Sequence, residues 1–185
     1  MKYIPISLVE KAARIAARAH AGVERKDDSL YIVHPFMVAL KLAKHNFPEP
    51  VIAAALTHDV LEDTDYPEEK LRKELGDETV NIVKAVTNSS DKSISWREKK
   101  NRYVETTRKG PAGAKAVSVA DKIHNLECLL IAHAEQGPAI WGEFHSSRED
   151  KRWYEEAVLK MLKETWDHTL IAEYERLLKK EKDLK

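Results

Sequence analysis

The sequence predicts an all-α fold, a helical bundle built as one domain over residues 1–185, and three observations carry that expectation. Apolar residues recur at three- and four-residue spacing along most of the chain, and no stretch alternates with the period of two that a half-buried strand needs. Gly and Pro fall between these segments: Gly22, Pro48, Gly76, Gly110 and Gly137 each stand where a helical pattern stops. The 185 residues, 43% of them apolar and 34% charged, are enough to bury a core without cross-links. A lone cysteine, Cys128, excludes a disulfide framework and a thiolate zinc cluster.

The elements follow in order. Residues 6–21 read as a helix capped by Ser7, with Val9, Ala12, Ala16 and Ala19 on one face and Gly22 as its stop. A polar loop over 23–29 leads to Tyr31-Ile-Val-His34 and then Pro35, which opens a helix running to about His45; His34 is expected at or just before its start. Residues 53–63 read as one unbroken helix. Pro67 to about Leu75, ended by Gly76, and then 77–88 form two more. A loop at 88–91 precedes a polar helix over 94–108. A strongly apolar helix spans Ala114 to about Ala134, and an irregular stretch covers Gly137 to Ser147. The last helix is expected to run unbroken from about Arg148 to Lys180, because Val158, Leu162, Trp166, Leu170, Tyr174 and Leu178 recur at four-residue steps.

Charge and hydropathy narrow the function. The 31 basic and 31 acidic residues cancel, so no overall basic field draws the chain to nucleic acid. No apolar run approaches the ~20 residues of a membrane span, and the N-terminus lacks the apolar core of a signal peptide, so the expected compartment is the cytoplasm. A small-molecule substrate is the expected partner, and a homo-oligomer stays open.

The chemistry concentrates in Ala53–Asp63. His58, Asp59, Glu62 and Asp63 follow an apolar run and fall on one side of a helix. Carboxylates crowded into an apolar setting repel one another and are costly to desolvate, and a cation among them removes the conflict. An exposed acidic helix end would explain Glu62 and Asp63, but not the His-Asp doublet one turn earlier. Two further polar residues sit oddly: His34 at a helix start, and Asp121 within an otherwise apolar helix. Two imidazoles and two carboxylates suit one borderline divalent ion, best Mn²⁺, with Fe²⁺, Co²⁺ or Zn²⁺ also compatible.

In this order His34, His58-Asp59 and Asp121 resemble the metal ligands of the HD superfamily of metal-dependent phosphohydrolases. The resemblance is closer to the hydrolase domain of the RelA/SpoT alarmone enzymes. Ala19-His-Ala-Gly22, Arg25-Lys26, Tyr31-Ile-Val-His-Pro35, His58-Asp-Val-Leu-Glu-Asp-Thr64 and Ala120-Asp-Lys-Ile-His-Asn125 are all similar to that family's motifs, over roughly residues 5–130.

The resemblance implies an all-α HD domain acting as a small alarmone hydrolase. It would remove the 3′-diphosphate of (p)ppGpp, releasing pyrophosphate and GDP or GTP. By family position, Glu62 and Asp63 would be catalytic, Arg25 and Lys26 base and phosphate contacts, Lys100 a phosphate contact and Asn125 a nucleoside contact. His20 would support the site, His124 could face the cleft, and Trp153 or Tyr154 would lie near the substrate or pack in the core. His45, His133, His145 and His168 are expected at the surface or in packing. Thr57 replaces the usual apolar residue before the doublet, and Lys122 stands where many members carry Arg, which bears on substrate preference. Two other readings keep the metal site: hydrolysis of another nucleotide (an adenosine 3′-diphosphate relative, NADPH or a deoxynucleotide), or a non-catalytic nucleotide-binding module.

Overall fold

The computed structural model describes residues 6–25, 29–143 and 146–184, and the elements among them are helical. The chain runs α1 (Leu8–Ala19), α2 (Val33–Lys44), α3 (Glu49–Thr57), α4 (Val60–Asp63), α5 (Glu68–Val86), α6 (Trp96–Lys109) and α7 (Ala112–Gln136). A 3₁₀ segment (Gly137–Glu143), α8 (Arg148–Thr165) and α9 (Thr169–Lys182) complete it. The extended pairing among the described residues is one isolated bridge between Glu24 and Leu30. Three helices start on hydroxyl caps: Ser7 accepts from the Glu10 amide, Ser95 from Glu98 and Ser147 from Asp150, at 3.0–3.1 Å. No described helix is long and apolar enough to cross a membrane.

The bundle is built around α3, which packs against α1, α2, α5 and α7. Its run Ala53-Ala-Ala55 and Thr57 are fully buried, and Leu56 is nearly so. Methyl-sized side chains let four neighbours approach one short helix closely, which is why its C-terminal end can lie at the centre of the molecule. Gly113 makes the same kind of approach: a Cβ there would come within 2.7 Å of Ile82 and 3.0 Å of Val51, so α7 lies directly against α5 and α3.

Three boundaries differ from the sequence reading. The helix expected over 53–63 breaks after Thr57, and α4 is a separate turn. The imidazole of His58 explains the break, since its Nδ1 lies 2.8 Å from the Ala55 carbonyl and competes for a backbone acceptor of the last turn. Helix α2 begins at Val33, so His34 lies inside its first turn; Pro35 is tolerated there because an amide in that turn has no partner within the helix.

The single helix expected from Arg148 to Lys180 is instead two, parted at Trp166–His168, where the backbone is extended. Steps of four residues advance 40° beyond a full turn each time, so six apolar residues at that spacing cannot share one straight face. The chain restarts at His168, whose Nδ1 accepts from the Leu170 amide at 3.2 Å. This lets both Leu162 and Leu170 reach the core. Gly76 behaves as expected, with φ +84° separating the two halves of α5.

The central role of α3 sets a stability test. Ala54→Leu adds three heavy atoms where neighbouring helices already touch, and should destabilise the fold by about 1–3 kcal/mol in denaturant unfolding. An unchanged midpoint would show that α3 is loosely packed.

Candidate metal centre

Four segments bring the polar residues together. The first turn of α2 supplies His34 and the end of α3 supplies His58. Asp59 follows before α4, and the middle of α7 supplies Asp121. Ligand atoms of His34, His58 and Asp121 all lie within 4.8 Å of one another. His34 Nε2 is 3.1 Å from Asp121 Oδ1 and 3.8 Å from Asp59 Oδ2. His58 Nε2 is 3.1 Å from Asp59 Oδ2 and 3.9 Å from Asp121 Oδ1. Both histidines are buried, while the two aspartate side chains keep 18% and 13% exposure, so the cluster opens to solvent on its carboxylate side.

Each ring is oriented from behind. His58 Nδ1 lies 2.8 Å from the Ala55 carbonyl, which can only accept, so that nitrogen carries the proton and Nε2 presents a lone pair to the cluster. That Nε2 is buried and has no hydrogen-bond partner among the described residues. Burial opposes a charge on His58, but the fields of Asp59 and Asp121 outweigh it and raise its pKa. The same field would draw in any cation. His34 Nδ1 lies 2.8 Å from Nδ1 of His124, whose Nε2 in turn lies 3.6 Å from Cys128 Sγ. Burial, with His34 and Arg25 adding to it, pushes His124 down to about 4. A neutral His124 can accept from His34 Nδ1–H, leaving the His34 Nε2 lone pair facing Asp121.

Both carboxylates are also held by other neighbours, in part on the oxygens that face the histidines. Lys122 donates to Asp121 Oδ2 at 2.8 Å and Asn125 to Asp121 Oδ1 at 2.6 Å. Burial opposes ionisation of Asp121, yet Lys122, His34 and His58 hold it well below the usual carboxylate range. Tyr31 donates to Asp59 Oδ2 at 2.5 Å and approaches Asp63 Oδ2 at 3.2 Å. Burial pushes the Asp63 carboxyl up to about 6, with Asp59 and Glu62 adding to the shift. The buried ring of His20 packs 4.7 Å from that of Tyr31.

Glu62 departs from the common face that the sequence suggested. With the helix broken at 58–59, its carboxylate turns to Asn88, accepting from the backbone amide at 2.7 Å and from the side-chain amide at 3.1 Å. Lys100 donates to Asn88 Oδ1 at 3.0 Å, so Glu62, Asn88 and Lys100 form one chain. Lys100 lies 4.9 Å from the centre of the Tyr154 ring, and Lys122 lies 5.1 Å from it. Burial, followed by the charge of Lys122, lowers Lys100 to about 8. Trp153 packs instead against Trp96 and under Arg97, so Tyr154 is the aromatic nearer the cluster.

A cavity of about 460 Å³ adjoins the cluster, bordered by Arg25, Tyr31, Asn125, Cys128, Ile140 and Lys151 among others. Arg25 reaches Asn125 Oδ1 at 3.4 Å. Lys26 lies outside the described residues, as does His145. His45 and His168 pack on each other, and His133 lies near Trp141, away from the cluster. Sequence reasoning quoted Tyr31 within a motif and gave it no task; its place one helical turn before His34 was the available signal. Asn88 and Lys151 carried none.

The comparisons agree with this geometry. The HD domain family matches residues 12–150. The chain is 36% identical over 127 residues to a guanosine-3′,5′-bis(diphosphate) 3′-pyrophosphohydrolase of Xenopus tropicalis, across 66% of this chain and 70% of that protein. It is 33% identical to the Drosophila melanogaster enzyme of the same name, across 71% and 74%. The similarity to a GTP pyrophosphokinase of Streptomyces coelicolor, 32% identical over 132 residues, spans only 15% of that much longer protein. Among solved structures, a metazoan ortholog of SpoT that hydrolyzes ppGpp superposes with a TM-score of 0.79 at 27% identity, covering 97% of this chain and 98% of that one. HD domains bind divalent metal, and a buried imidazole lone pair without a partner among carboxylates is what such an ion would complete. By family match, by relatives and by fold, this chain belongs to the HD domain family, in the branch that includes those pyrophosphohydrolases.

Proposed function

We propose that the chain is a Mn²⁺-dependent pyrophosphohydrolase that removes the 3′-diphosphate of (p)ppGpp, and that the described residues work as one hydrolase domain. The observation that carries this reading is the buried, partnerless Nε2 of His58 facing Asp59 and Asp121, beside a cavity of nucleoside size. The printed activities of the Xenopus and Drosophila relatives support the choice of substrate.

His34, His58, Asp59 and Asp121 would hold one ion. Two neutral imidazoles with two carboxylates suit Mn²⁺ better than a soft-ligand metal, and open positions toward solvent suit a hydrolase. When bound, the ion supplies Lewis acidity toward the 3′-phosphoryl oxygens and the attacking water. The remaining work belongs to the protein. Asp63 shares the Tyr31 hydroxyl with Asp59, which holds a carboxylate next to the ligand set without making it a ligand. From there it takes the proton of the attacking water. Glu62, clamped by Asn88, orders that water, and the Asn88–Lys100 contact ties it to a cation facing the diphosphate.

Water adds to phosphorus, the bond from phosphorus to the 3′ oxygen breaks, and that oxygen takes a proton. The products are pyrophosphate and GDP or GTP. Arg25, Lys26 and Lys100 offset the diphosphate charge, and Asn125, already touched by Arg25, meets the nucleoside. Purified protein with Mn²⁺ and ppGpp should yield GDP and pyrophosphate in equal amounts. Orthophosphate release, or faster turnover of an adenosine or deoxynucleotide substrate in the same panel, would replace the substrate assignment while leaving the metal site standing.

Two variants separate the roles. The Glu62→Gln, Asp63→Asn double variant should lose about 10²–10⁴-fold in kcat while its Mn²⁺ affinity, read by calorimetry, stays within a few-fold. Wild-type turnover would remove both residues from the chemistry. His124→Leu removes the acceptor behind His34 and should weaken Mn²⁺ binding about 10- to 100-fold, with hydrolysis partly restored by excess Mn²⁺. Unchanged affinity would show that His124 does not orient His34.

A further inference from the structure

The inner side of α2 carries His34, while its outer side is apolar and, among the described residues, unpartnered. Val33, Phe36, Met37 and Leu40 are 42–61% exposed, and they recur at helical spacing on one face. Val23 and Leu30, 44% and 56% exposed, extend the surface into the loop leading to α2. These six are all but one of the strongly exposed large apolar residues among those described. Scattered exposure would be ordinary, whereas concentration on one short segment is not. The six are about half exposed on average, a patch on the order of a few hundred Å², in the range of a monomer's largest apolar patch and a substantial part of the ~800 Å² per partner that a standard specific interface buries.

We propose that this face of α2 binds the same face of a second copy of the chain, with the two helices antiparallel about a two-fold axis. Three features favour a second copy over an unrelated partner. A helix stripe meeting itself about a two-fold is self-complementary, since each end faces the opposite end of the other copy. The ends carry opposite charge: Lys44 closes the stripe one turn after Leu40, and Glu24, bridged to Leu30, stands at its start. Both are exposed and without an ion-pair partner among the described residues, and the antiparallel arrangement brings Glu24 of each copy toward Lys44 of the other. Lys41, also on α2, is already neutralised by Glu127 and Glu173 at 3.1 and 3.0 Å, and the net charge of zero gives the copies no overall repulsion.

Sedimentation velocity of the full chain from about 1 to about 100 µM tests this, a range that spans ordinary homodimer affinities. The wild type should shift toward twice the chain mass across that range. Phe36→Glu and Leu40→Glu should each raise the dissociation constant at least 10-fold, with helicity by circular dichroism unchanged. Lys44→Glu should weaken association several-fold, and Glu24→Lys in the same chain should restore it. A wild type that stays at the single-chain mass throughout overturns the proposal. So do folded glutamate variants that dimerise like the wild type, and so does an association indifferent to the charge exchange.

Discussion

The structure depends on one electrostatic conflict. In the middle of a helical bundle, His34 Nε2 and His58 Nε2 each lie 3.1–3.9 Å from carboxylate oxygens of both Asp59 and Asp121. Neither histidine can relieve it by turning, because each is fixed from behind, His58 by the Ala55 carbonyl and His34 by His124. Lys122 neutralises Asp121, Asn125 and Tyr31 donate to Asp121 and Asp59, but no donor among the described residues reaches His58 Nε2. A cation placed in such a set offsets the repulsion and desolvation cost of its carboxylates, and the elements near it are arranged to permit the crowding. The small residues of α3 let α2 and α7 close on it, and the break after Thr57 lets His58 and Asp59 point into one space.

From that cluster outward, polar residues are graded in purpose. Tyr31 joins the Asp59 carboxylate to that of Asp63 through one shared hydroxyl. Glu62 is tied through Asn88 to Lys100, which lies against Tyr154. These four residues are therefore one connected unit. Helix α7 contributes Asp121, Lys122, His124 and Asn125 within one and a half turns.

Much of this was legible in the residues. The His-Asp doublet, His34 before Pro35 and Asp121 in an apolar helix stand out because each is a costly polar group where packing alone would choose an apolar one. The helical periods were legible too, since amphipathic spacing and hydroxyl caps are local. What escaped was non-local. The break after Thr57 arises because a side chain competes with the backbone, which hydropathy does not register. The turn at Trp166–His168 lacks Gly and Pro, and four-residue steps imitate a continuous stripe over the two or three turns that a window samples. Glu62 was placed with the other carboxylates by helical geometry, and only the position of Asn88, 26 residues away, shows why it turns aside. The pairing of His34 with His124 joins residues 90 apart and has no sequence signature.

The most direct measurement of the central claim is anomalous diffraction from a crystal grown with Mn²⁺. The account predicts one peak per chain, about 2.0–2.3 Å from His34 Nε2, His58 Nε2 and one oxygen each of Asp59 and Asp121. A peak held by other residues, or none at that point in crystals with Mn²⁺ in excess, would contradict it.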